Sequence, residues 1–454
     1  MLTHQNQRLK QPLQAFRCSF LDFVEDPFYF SELESVRYIA DGLLVLEKGK
    51  VKELGDYNNL KNKYSEIPVI SYPGMLIMPG FIDTHIHFPQ VEIIAAYGEQ
   101  LLEWLNKYTF PTEGKFKDKA YAQKVASIFL DELLRNGTTT ALVFAAVYPE
   151  SVDAFFEEAS RRNLRTIAGK VMMDRNAPEF LVDTAETSYQ ESKQLIQKWH
   201  KKGRLLYAVT PRFAITSTDE QLRFAGRLLE EFPDVYLHTH LSENDDEVAW
   251  VQELFPDCNG YLDTYDRAGL VGEKSVFAHG IHLTDEEFKR LSEANCAIAF
   301  CPTSNLFLGS GLFNLEKAKC IEQPVKVGLG TDVGGGTSFS LLKTANEAYK
   351  VAQLRRQKLS PFQALFLATL GGARALSLAD KIGSFDVGKE ADFIVLDLRA
   401  TPLMAFRNQT STAMSLEELA EKVFTLMILG DDRAIHATYI LGELAYEQPS
   451  PKNS

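Results

Sequence analysis

The stretch Met78-Pro-Gly-Phe-Ile-Asp-Thr-His-Ile-His87 decides how the rest of the chain is read. It carries an apolar run, begun at Leu76 and Ile77, into two histidines two residues apart. Alternate side chains of an extended strand share a face, so His85 and His87 project together. A lone histidine at a strand end fills the core or meets solvent. Two imidazoles converging in a dry, shaped cavity form half of a zinc or iron site. The remaining ligands must then come from elsewhere in the chain.

Outward from this stretch, short apolar runs alternate with amphipathic helical stretches. The runs are Leu76 to His87, Thr138 to Phe144, Thr166 to Met173, Leu205 to Ile215, Val235 to His240, Ser275 to His279, Ala297 to Cys301 and Val325 to Thr331. Helical spacing between them marks Tyr121 to Asn136, Asp219 to Glu231, Asp245 to Leu254 and Asp285 to Ala294. Eight strands alternating with helices predict an α/β fold, a (β/α)8 TIM-like barrel over residues 76–381. Short strands recur before it (16–20, 38–46, 51–54, 69–72) and after it (392–398, 437–441). Residues 1–75 plus 382–454 are therefore expected to form one small β-sandwich domain from both chain ends.

Composition narrows the class. The 454 residues, 45% of them hydrophobic, suffice for a large core and an accessory domain. A formal charge of −13 with no basic run excludes a nucleic-acid surface. The five cysteines are scattered and show no C-x-x-C spacing, which fits reduced thiols and no disulfide framework. The polar start Met1 to Arg8 has no apolar core of a leader, and no segment has the length to span a bilayer. A soluble cytoplasmic protein is expected.

Barrel enzymes place their chemistry at the carboxyl ends of the strands. His240 ends the fifth run, His279 the sixth, and Asp332 directly follows the eighth. Each alone has a plain structural reading, a core histidine or a turn carboxylate. Four histidines and an aspartate at one end of four strands point to a metal site. His238 lies on the face of His240 but one layer deeper, and His282 is a near neighbour of His279. His4, His200 and His436 lack such placement and are read as surface or packing residues.

This set, with Pro79-Gly-Phe-Ile-Asp83 ahead of the histidine pair, resembles the amidohydrolase superfamily of metal-dependent hydrolases. The trailing Ile382-Gly-Ser-Phe-Asp-Val-Gly-Lys-Glu-Ala-Asp-Phe-Ile-Val-Leu396 is similar to the stretch where those chains re-enter their small β domain. Dinuclear members carry a lysine at the end of strand four. Here that run ends Tyr207-Ala-Val-Thr-Pro-Arg-Phe213, and Lys170 belongs to the third run. His240-Leu-Ser-Glu243 resembles the deaminase branch, in which three histidines and one aspartate hold a single metal. That resemblance implies His85, His87, His240 and Asp332 as ligands of one zinc per subunit, with iron also admitted by the donor set. His279 is left outside the metal as a proton relay.

In this reading zinc lowers the pKa of its water to about 7, and Asp332 and His279 orient that water and accept its proton. Glu243 stands where a general acid protonates a ring nitrogen and then passes a proton to the leaving amine. Its structural alternative is a solvated helix-start carboxylate beside Asp245, Asp246 and Glu247. Gln90 offers a donor and an acceptor, Arg212 a fork of donors, and Phe213, with His240 beside it, a face for a flat ring. Together they suit a heterocycle with a lactam edge.

The runs Leu102 to Pro111, Asn136 to Thr140, Thr210 to Phe213, Ser242 to Val248 and Leu429 to Arg433 are similar to the guanine-deaminating branch of the superfamily. That similarity implies attack at C2 of guanine giving xanthine and ammonia, contacts from Gln90, Arg212, Phe213 and Glu243, and a homodimer in purine catabolism. Two other readings stay open: a related ring deaminase acting on 8-oxoguanine, a pterin or a triazine, and a non-catalytic scaffold protein.

Overall fold

Gly80 divides the opening stretch between two sheets. The computed structural model describes residues 13–449 apart from Ser411 and Met414; the Met1 to Arg8 segment, with His4, lies outside the described residues. Upstream of Gly80, Val69–Pro79 pairs parallel with Gln14–Phe23 and antiparallel with Phe393–Leu396. Downstream, Phe81–His87 pairs with Thr138–Phe144. The run expected as one strand from Leu76 to His87 is therefore two. The Gly80 N–H donates to the Asp392 carbonyl (3.0 Å) and the Phe81 N–H to the Gly137 carbonyl (2.9 Å), so the crossing takes one residue. A side chain at position 80 would place its Cβ 2.1 Å from Thr139 Oγ1, which only glycine avoids.

The barrel follows chain order. Its strands are Phe81–His87, Thr138–Phe144, Arg165–Gly169, Leu205–Pro211, Tyr236–Leu241, Ser275–His279, Ala297–Phe300 and Lys326–Leu329. All neighbours pair in parallel, and the two-residue strand Val171–Met172 extends the third. Last and first strands meet through individual bonds: Thr84 Oγ1 to the Leu329 carbonyl (2.9 Å), Asp332 N–H to the His85 carbonyl (2.9 Å) and His87 N–H to the Val333 carbonyl (3.2 Å). Lys119–Arg135, Asp219–Glu231, Asp245–Leu254 and Asp285–Glu293 are helices, as their spacing predicts. Thr218, Asn244 and Thr284 cap the last three, each side chain accepting from the first turn.

Both chain ends build one seven-stranded sheet, in the order Glu443–Glu447, Ile435–Ile440, Phe393–Leu396, Val69–Pro79, Gln14–Phe23, Val36–Glu47, Lys50–Asp56. Phe16, Phe20, Leu44, Ile77, Phe393 and Tyr439 form its core. Charges fasten it to the barrel. Arg165 and Arg204, at the amino ends of the third and fourth strands, reach Glu390 at 2.7 Å each, and Arg204 also pairs with Asp392. The Lys389-Glu-Ala-Asp392 motif thus supplies the carboxylates that dock the sheet.

The segment after Ile382 is less strand-rich than its pattern suggests. Pro402–Arg407 and Leu416–Leu429 are helices, and the second packs on Leu341–Leu354 at the side of the barrel. Its buried Leu419, Val423, Leu426 and Met427 fall at helical spacing, the pattern that decides for a helix. Among the described residues, no helix is long and apolar enough to cross a membrane.

Candidate active site

His85 and His87 share a face of the first strand, as the two-residue period requires, and their Nε2 atoms lie 3.2 Å apart. His240 arrives from the fifth strand. Its Nδ1–H donates to the Arg212 carbonyl (2.7 Å), which leaves Nε2 as a lone pair 3.3 Å from His87 Nε2. Asp332 puts Oδ1 3.2 Å from His85 Nε2 and 3.3 Å from His87 Nε2. All four side chains are buried.

Apolar surroundings disfavour protonation of the imidazoles. The ring of Phe144, which ends the second strand, lies 4.4–5.3 Å from those of His85, His87, His238 and His240. Burial pushes His85 and His240 below the usual histidine range and His87 down to about 3. Burial pushes the carboxyl of Asp332 up, but the imidazoles of His85 and His87 outweigh it and hold the group well below the usual range.

The donors fit a metal. Ligands at about 2.0–2.1 Å from a tetrahedral centre stand about 3.3–3.4 Å from one another. The observed 3.2–3.3 Å spacings match that geometry. His87 Nδ1 and His279 Nε2 are buried without hydrogen-bond partners. His85, His240 and His279 form one cluster of potential donors and His85, His87 and Asp332 another, so spacing alone admits five donors.

Backbone strain holds the far wall. Ser242, His279 and Asp332 all adopt left-handed conformations, with φ of 49°, 74° and 50°. Such conformations cost non-glycine residues energy and collect at functional sites. The turn after Asp332 is tight: its carbonyl accepts from the Gly336 N–H at 2.5 Å, and a Cβ on Gly336 would fall 1.8 Å from the Thr331 carbonyl. His279 donates Nδ1–H to Asn305 Oδ1 (2.8 Å) and turns Nε2 toward Glu243 Oε2 (3.3 Å) and Asp332 Oδ2 (3.8 Å).

Glu243 is buried, not solvated, and Ser310 Oγ reaches its Oε1 at 3.5 Å. Burial, with the charge of Asp332 added, pushes its carboxyl well above the usual range. Its acidic neighbour Glu247 is structural: it accepts the N–H groups of Glu243 (2.8 Å) and Asn244 (3.1 Å) and the hydroxyl of Tyr261 (2.7 Å).

Above this cluster a cavity is lined by Leu101, Leu105, Arg212, Phe213, His240 and Glu243. Four of these are residues expected from sequence. Gln90 joins them through Glu113: its Nε2 donates to Glu113 Oε1 (3.1 Å), and Arg212 Nη1 donates to both Glu113 oxygens at 2.9 Å. Sequence reasoning passes over Glu113, Asn305, Ser310 and Phe144, and it leaves His238 undecided. His238 Nε2 is 2.7 Å from His85 Nδ1, one layer down as its register predicts. Phe144 ends the second strand and was open to the positional argument used for the histidines, whereas Asn305 lies inside the short helix Pro302–Phe307. Lys170 is buried against Asp183 and Glu191, away from the cluster.

The model of the amidohydrolase family matches residues 76–445. A guanine deaminase of Escherichia coli (strain K12) is 57% identical over 438 residues, 96% of this chain and 98% of that protein. The solved E. coli guanine deaminase superposes with a TM-score of 0.92 at 54% identity, covering 97% of this chain and all of that one. A guanine deaminase from C. acetobutylicum, solved with guanine bound in its active site, superposes with a TM-score of 0.86 at 30% identity over 96% of this chain and all of that one. The chain belongs to the amidohydrolase family.

Proposed function

We propose that this protein hydrolyses guanine to xanthine and ammonia. The observation that carries the reading is three imidazole nitrogens and a carboxylate spaced at 3.2–3.3 Å beneath a cavity that bears Glu243 and Arg212. Near-full-length similarity to guanine deaminases supports the choice of ring.

His85, His87, His240 and Asp332 would hold one zinc per subunit. When bound, that ion supplies Lewis acidity and water activation near neutral pH. Asp332, ionised, takes the proton released as water adds to C2 of the ring, and His279, with Nε2 facing both Asp332 and Glu243, relays it. Glu243, whose burial favours the protonated carboxyl, gives a proton to the ring nitrogen beside C2 and makes that carbon electrophilic. The same carboxyl then delivers a proton to the departing amine. Arg212 donates to the 6-oxo group, Gln90 reads the adjacent edge, and Phe213 with Leu101 and Leu105 closes the ring faces from water. Family resemblance extends the proposal to a cytoplasmic homodimer in purine breakdown.

The test is ammonia release on addition of guanine, with and without a chelator. Chelator-sensitive release, with guanine preferred over 8-oxoguanine, pterins and triazines, supports the reading. Preference for another ring overturns the substrate, and no turnover by zinc-replete protein overturns the enzyme.

A further inference from the structure

Glu113 ends the short helix Phe110–Glu113 and is fully buried, yet its carboxylate faces the substrate-side groups and not the core. Both oxygens lie 2.9 Å from Arg212 Nη1, and Oε1 also accepts from Gln90 Nε2 at 3.1 Å. An ionised carboxylate only accepts, so it dictates which end of the Gln90 amide turns toward it. The amide is wedged as well: a Cβ on Gly334 would fall 2.6 Å from Gln90 Oε1.

Resting on the function proposed above, the geometry points to Glu113 as a specificity-determining residue that fixes Gln90 as an acceptor and Arg212 as a donor toward the ring. Guanidinium Nη2 and Nε remain available beside the cavity once Nη1 is taken by Glu113. Gln90, with an N–H held, presents its oxygen. Such a pair matches a purine whose C6 carries an oxo group and whose N1 carries hydrogen. A ring with a 6-amino group and a bare N1 presents donor to donor and lone pair to lone pair. Glu113 thereby selects lactam rings without needing to touch them.

The test is calorimetric binding of hypoxanthine and adenine to zinc-loaded protein. Neither ring has a 2-amino group, so binding is read without turnover. Wild type is expected to bind hypoxanthine at least about 100-fold more tightly than adenine, since a site built to hydrogen-bond an edge rejects its mismatch strongly. In Glu113→Gln the new amide presents either a donor or an acceptor, Gln90 is free to reverse, and the ratio is expected to fall about tenfold or more. A variant that binds both rings more weakly by one common factor overturns the inference and leaves Glu113 a packing residue. Should Glu113→Gln fail to fold, Gln90→Ala tests the same ratio with the Arg212–Glu113 pair intact, and an unchanged ratio there is equally fatal. Guanine turnover by wild type is scored separately, so failure of the activity and failure of the lactam selection are told apart.

Discussion

His238 Nε2 stands 2.7 Å from His85 Nδ1, so one buried imidazole holds another by the nitrogen that faces away from the metal cluster. His85 is thereby oriented with Nε2 toward His87 and Asp332. Partners that orient a ligating histidine are worth about 10–100-fold in metal affinity. His238→Ala is therefore expected to lose zinc by about that factor, read as metal content after dialysis against graded chelator. Activity should return at excess zinc. Unchanged zinc retention would leave His238 as filler beneath the site.

Glu243→Gln preserves shape and removes the transferable proton. Zinc content should match wild type, while kcat should fall by about 10²–10⁴, the usual worth of a positioned acid–base group. Turnover within a few fold of wild type would take the proton transfers away from this residue.

Removal of metal should abolish turnover and also lower thermal stability. A ligand present at 100 times its dissociation constant contributes about 2.7 kcal/mol, or roughly 3 °C in Tm for a chain of this size. Differential scanning fluorimetry with chelator, then with zinc restored, reads this directly. A melting point indifferent to chelator would mean that the cluster does not bind metal in the folded state.

Arg204→Ala tests the seam between barrel and end sheet. It leaves Asp392 and part of Glu390 without their buried counter-charge, a change expected to cost about 3–5 kcal/mol in urea unfolding. Guanine turnover at low temperature should be nearly unaffected, because the pair sits at the amino ends of the strands. Burial raises the Glu390 carboxyl, but Arg165 and Arg204 outweigh it and hold the group below the usual range. Its contribution is therefore complete above the unfolded glutamate pKa of about 4.3 and fades as the pH falls through the lower folded value. The gap between wild type and variant should narrow in acid; a gap that widens there would assign the stability to packing.

Periodicity carried the barrel well. The apolar runs fall on the eight strands because a parallel strand buried on both faces leaves a continuous apolar trace. His85, His87, His240, His279 and Asp332 were legible for a related reason: each lies within three residues of the carboxyl end of a strand, a position sequence can locate. Glu113 was not. It acts on Gln90 and Arg212 from 23 and 99 residues away, through a contact that no local spacing encodes. The division at Gly80 was equally hidden, since the apolar trace runs unbroken from one sheet into the next. Leu416–Leu429 was missed because the helical spacing of its apolar residues lies between segments read as strands.

The donor cluster sits on the seam between the first and last barrel strands, where the Asp332 N–H meets the His85 carbonyl. A growing chain has made His85 and His87 long before Asp332 exists. Nearly 250 residues of synthesis separate the two sides of the site. A nascent barrel therefore has no complete set of donors until its eighth strand has emerged and closed against the first. With the donors assigned as proposed, a complete coordination set forms only on barrel closure, and the fraction of chains that carry metal would report how many barrels have shut.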